Sequence, residues 1–162
     1  MRFVFTSIVA AIRRRKVAVG DAEKLVANFG SRADLIPLGD VLATSALPYA
    51  PTRCAGLYQA LLEWAGEERL GADSYAALDQ ARLSLISLAA LAVRESGGTG
   101  SAEHIIEIVV RDTRNIADLY LSRFEANYAA QGEAFGTDDD LKNDLVLCKE
   151  IAELAGRETV GN

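Results

Sequence analysis

An all-α helical bundle is the fold this sequence predicts: four principal helices, preceded by one or two short N-terminal helices. Three observations carry that expectation. Pro37, Pro48 and Pro51 are the only prolines among 162 residues, so the chain beyond them can run helical without interruption. Alanine and leucine, both strong helix formers, dominate that remainder. Its apolar residues recur at three- and four-residue spacing, the period of a helix buried on one side.

The segment Phe3–Lys16 reads as an amphipathic helix. Phe5, Ile8, Val9 and Ile12 share one face, and Arg13, Arg14, Arg15 and Lys16 occupy its last turn. The apolar run is too short to span a bilayer, which takes about 20 residues. It also lacks a small-residue cleavage site before the basic cluster. A short helix capped by Asp21 and closed by Gly30 follows. Residues 37–51 then read as an irregular connector bracketed by prolines. This divides the chain into an N-terminal arm and connector, 1–47, and a bundle body, 48–162, that together form one compact unit.

The first bundle helix is expected at about 52–66. Pro51 sits in its first turn, and Cys54, Leu57, Tyr58, Leu61 and Ala65 form its inner stripe. The second, about 75–95, is the most apolar stretch, with no charge from Leu83 to Val93. It is expected at the centre of the bundle, with a narrow polar strip at Gln80, Ser84 and Ser87. GGTG at 97–100 is a loop, and Ser101 starts a third helix over about 102–131. The β-branched run IIEIVV at 105–110 also suits a strand, but the helical period continues unbroken to Tyr128. The fourth helix, about 138–156, is expected to be capped by Thr137 with Asp140 and stopped by Gly156.

Net charge is −6, unevenly spread: residues 1–51 hold seven basic and four acidic side chains, residues 52–162 ten and nineteen. An acidic body repels phosphate backbones, so no nucleic-acid partner is expected. Two cysteines and one histidine are too few for a conventional zinc site, and no metal or other cofactor is expected. Cys54 and Cys148 read first as buried free thiols, and secondly as a disulfide if the chain is exported. A nucleophilic Cys54 is a third reading. The Asp138, Asp139, Asp140 and Asp144 run lacks the glycine and terminal glutamate of a calcium loop, and helix capping accounts for three of the four without a ligand. His104, beside Glu103 and one turn before Glu107, reads as a solvated first-turn residue.

No phosphate loop, nucleophile elbow or dinucleotide fingerprint appears, and no catalytic residues are assigned. The function expected is a non-enzymatic interaction or assembly module that binds a protein partner or its own copies. Two alternatives stand beside it. One is a membrane-surface module using Phe5, Ile8, Ile12, Arg13, Arg14 and Arg15 as its contact. The other is a small-ligand binder or enzyme of unspecified class, with His104, Glu107 or the Asp138–Asp144 group at the rim of its site. A cytoplasmic location is expected, in keeping with free thiols; the alternative is an extracytoplasmic one with Cys54 and Cys148 paired.

Overall fold

The computed structural model describes residues 35–42 and 48–160, so the amphipathic segment, with Phe5, Ile8, Ile12, Arg13, Arg14 and Arg15, lies outside the described residues. The protein is an all-α bundle of four long helices and one short one among those residues. They are α1 (Leu38–Leu42), α2 (Tyr49–Leu70), α3 (Ala72–Glu95), α4 (Ala102–Gln131) and α5 (Asp139–Val160). The connector expected at 37–51 therefore contains a one-turn helix, opened by bonds from the Asp40 and Val41 N–H groups to the Pro37 carbonyl. Leu38 is fully buried, so this part of the N-terminal arm is packed on the body.

The centre of the bundle is α2, not α3. Ala50 to Tyr58 are all buried around the full circumference of α2, which packs against α3, α4 and α5. A helix surrounded on all sides needs small residues where neighbours cross closely. Gly56 meets that need, because a Cβ there would lie 3.0 Å from the Thr113 carbonyl of α4 and closer still to the Ile116 side chain. Further along, Gly66 takes φ 65° and ψ 171°, a conformation open to glycine, and kinks α2 before its last turn. Low charge made α3 look central, but its burial is one-sided. Leu85, Ile86, Leu88, Ala89 and Ala92 face the core, while Leu83 and Leu91 are 45 % and 53 % exposed. By length and composition α3 is the one described helix that could cross a membrane, at a mean hydropathy of 1.4. Its packed inner face is equally that of a bundle helix.

Local signals set most helix ends. The Ser101 hydroxyl accepts from the His104 N–H at 3.2 Å and caps α4. Gly132, in the left-handed region, returns its N–H to the Tyr128 carbonyl at 2.8 Å and closes the same helix. IIEIVV lies inside α4, because Ile105 and Val109 belong to the buried stripe that carries on through Ile116, Tyr120 and Phe124. Two of the expected boundary signals act differently, and α2 runs Tyr49–Leu70 beyond the expected 52–66 at both ends. Thr137 bonds Gln131, and Asp138 caps α5 in its place through the Leu141 N–H. Gly156 does not stop α5, which runs to Val160. Trp64 lies off the inner stripe and packs edge-on against Phe124 and Tyr128, at ring-centroid distances of 6.1 and 5.8 Å.

Candidate functional site

Three polar side chains from three helices meet inside the bundle. Arg53 of α2 donates from Nη2 to Asp144 Oδ2 of α5 at 2.7 Å, and from Nε to the Tyr120 hydroxyl of α4 at 2.9 Å. The Tyr120 hydroxyl donates in turn to Asp144 Oδ2 at 2.7 Å. The Leu38 N–H of the α1 segment supplies the other carboxylate oxygen, Oδ1, at 2.7 Å. Arg53, Tyr120 and Asp144 are at most 1 % exposed. One turn from this cluster, Cys54 and Cys148 are joined by a disulfide with their Cα atoms 5.1 Å apart. Covalent bond and ion pair thus clamp α2 to α5 side by side.

The electrostatics follow from burial. Desolvation alone would lower the pKa of Arg53, but the Tyr120 hydroxyl and the Asp144 carboxylate outweigh it and hold the guanidinium charged. Burial pushes the Tyr120 phenol up, and Asp144 adds to the rise against an opposing Arg53, so the hydroxyl stays protonated and donates. A phenol in that state, shielded from solvent and spending its proton on a carboxylate, is a positioned structural donor. In this arrangement the cluster orders three helices and a strap. Chemistry on an external molecule would need solvent access that these side chains lack.

A second polar group fastens the α4–α5 loop. Arg123 grips both oxygens of Asp138, Asn127 Nδ2 donates to Asp138 Oδ2 at 2.9 Å, and the Leu141 N–H donates to Oδ1 at 3.0 Å. Burial raises the Asp138 pKa, but the hydrogen bonds from Arg123, Asn127 and Leu141 reverse this and hold the carboxyl below its ordinary value of 3.8. A depressed folded-state pKa gives stability that is present above 3.8 and lost as pH falls below it. Asp138→Asn is therefore expected to flatten the acid limb of a pH–stability curve below that value, with a loss of about 1 kcal/mol at neutral pH for the charge-assisted cap. Urea titrations at a series of pH values read both effects.

Among the described residues one buried side-chain group has no hydrogen-bond partner: Thr113 Oγ1 on α4, at the close crossing with Gly56. An unsatisfied buried hydroxyl costs about 1–3 kcal/mol. Thr113→Val, equal in shape, is expected to leave stability unchanged or raise it by up to that amount, read as a shift in the urea midpoint.

Several sequence-predicted positions fall differently. Cys54 and Cys148 are bonded in place of the expected free thiols, which also removes Cys54 as a nucleophile. His104 is exposed, with Nδ1 3.9 Å from Glu107 Oε2, as a solvated first-turn residue would be. The acidic run divides by role: Asp138 caps, Asp139 and Asp140 lie in the first turn of α5, and Asp144 is buried. No group of three or more potential metal ligands occurs among the described residues. Ser84 and Ser87, the strip on α3, each donate to a carbonyl of their own helix, those of Gln80 and Leu83, both at 3.0 Å. The Arg53–Tyr120–Asp144 cluster is not among the positions expected from sequence, although the sequence carries one signal for it. Asp144 falls three residues after Leu141 and four before Cys148, on the inner stripe of α5, where a carboxylate requires a buried partner.

No known protein family matches this chain, and neither curated proteins nor solved structures give a significant match.

Proposed function

We propose that this protein is a non-enzymatic helical interaction module that self-associates through the outer face of α3 and works in an oxidising, extracytoplasmic compartment. The observation that carries the assembly reading is that face itself. Leu83 and Leu91 stand 45 % and 53 % exposed on an uncharged stretch, and the two serines between them spend their hydroxyl protons on their own helix. Such a face offers water little and a second helix a smooth, apolar surface. The polar cluster supports the same reading, since its groups serve one another inside the bundle. The Cys54–Cys148 bond supports the compartment reading, because structural disulfides persist where the surroundings are oxidising.

Light scattering tests the assembly reading. A mass above 17.4 kDa is expected, falling to 17.4 kDa in a Leu83→Glu/Leu91→Glu variant whose helical circular dichroism is retained. A strictly monomeric wild type would overturn it. Thiol titration in denaturant tests the compartment: no free thiol is expected in protein isolated without reductant, and two after reduction. Two free thiols in freshly isolated protein would argue for the cytoplasm.

A further inference from the structure

We infer that two copies of this chain pair antiparallel through α3 about a two-fold axis at Ser87, with Gln80 of each copy bonding Arg94 of the other. The inference rests on the self-association proposed above and specifies its geometry. At about 100° per residue, Gln80, Leu83, Ser87, Leu91 and Arg94 fall within an arc of about 80° on the side of α3 away from the core. All five are exposed. Their order reads nearly the same in both directions: polar, leucine, serine, leucine, polar, at spacings of three, four, four and three. An interface between identical copies related by a two-fold axis needs such self-complementarity, because each residue meets its counterpart across the axis. Reversing one copy about Ser87 sets Leu83 opposite the other copy's Leu91, and Gln80 opposite its Arg94.

Charge sets the direction. α3 carries Asp73 in its first turn and Arg94 in its last. Antiparallel pairing brings the acidic end of each copy beside the basic end of the other and opposes the two helix dipoles. Parallel pairing would stack Arg94 on Arg94 at one level. Glu95 lies about 80° from the centre of the face, on its flank. The hydrogen-bonding groups point the same way. Ser84 and Ser87 are satisfied by carbonyls of their own helix, whereas neither the Gln80 nor the Arg94 side chain has a hydrogen-bond or ion-pair partner among the described residues. A glutamine carbonyl oxygen accepts from a guanidinium, so each group supplies what the other lacks. Within one copy the two stand fourteen positions apart, about 21 Å along the helix, and cannot reach each other. At the crossing point the small Ser87 side chain suits axes about 8–10 Å apart.

Single-cysteine variants read the direction. Full-length Leu83→Cys and Leu91→Cys chains with different tags are mixed and oxidised in the folded state, where Cys54 and Cys148 are already joined. The antiparallel pair predicts a disulfide-linked heterodimer of twice 17.4 kDa on non-reducing gels. Little of either homodimer is expected, because like positions stand about 12 Å apart along the axis against a limit of about 7 Å between Cα atoms for a disulfide. Sedimentation equilibrium reads the end contacts. Gln80→Arg, which sets two arginines face to face, is expected to raise the dimer dissociation constant about fivefold, and adding Arg94→Glu to restore it. Absence of that rescue, or homodimers that cross-link while the mixture does not, overturns the antiparallel pairing. Homodimers alone, with a mass above 17.4 kDa, leave self-association through α3 standing and remove only this geometry. A dimeric wild type in which no combination cross-links places the contact elsewhere and removes both. A monomeric wild type that floats with phosphatidylcholine–phosphatidylglycerol vesicles gives the face to lipid and likewise removes both.

Discussion

Replacing both half-cystines, Cys54→Ala with Cys148→Ala, is expected to destabilise the protein by about 4–5 kcal/mol in the chain-entropy account of a loop this long. The loop spans a sequence separation of 94, so the cross-link removes much of the freedom of the unfolded chain. Two lost methyl-sized sulfur contacts in the core add to this, since both residues are fully buried. For a domain of this size the melting temperature should fall by roughly 10 °C or more. Burial also predicts kinetics. Reductant added to the native protein should have little effect until denaturant opens the bundle, because thiolate attack needs access to a sulfur. Rapid reduction under native conditions would show that the α2–α5 seam opens readily.

The second large effect concerns Asp144. Asp144→Ala removes one side chain and strands three donors: the Arg53 guanidinium, the Tyr120 hydroxyl and the Leu38 N–H. Losing one partner of a buried ion pair costs about 3–5 kcal/mol, mostly as the penalty of the unpaired charge. Arg53→Met alone should cost less, because a carboxylate that still receives the Tyr120 and Leu38 protons retains two of its three donors. The triple variant Arg53→Met/Tyr120→Phe/Asp144→Leu should recover most of the Asp144→Ala loss, since an apolar set of similar volume leaves only the Leu38 N–H unserved. Chemical denaturation of the four proteins, with the disulfide intact, reads the comparison. Strictly additive effects of Arg53 and Asp144 substitutions would contradict the direct ion pair.

These two clamps lie one residue apart on α2, at Arg53 and Cys54, and a single turn apart on α5, at Asp144 and Cys148. They hold the seam beside which the 35–42 segment docks. Loss of either is therefore expected to loosen the Leu38 groove as well as the bundle.

Much of the secondary structure was legible before any tertiary information. The 102–131 helix was predicted over the span it occupies, because Ser101 caps it, Gly132 closes it and an unbroken apolar stripe lies between them. Those are local signals, and a chain carries them wherever it packs. The second helix is legible as a helix for the same reason, but its place in the bundle is not. Absence of charge on α3 suggests full burial, whereas the structure buries one face and leaves Leu83 and Leu91 outside. The stretch that is buried all round, Ala50–Tyr58 of α2, contains Thr52 and Arg53, and their polarity disguises its position.

What the sequence determined by itself is an all-α chain, its four long helices, and the acidic character of its body. What the tertiary structure decided is which helix lies at the centre and which distant residues become partners. Arg53 and Asp144 are 91 positions apart, and Cys54 and Cys148 94. Helical periodicity places each on an inner face, but periodicity carries no information about which face of which helix lies opposite. That choice comes from packing: the close approach allowed by Gly56, the kink at Gly66 and the cost of burying a charge without its counter-ion.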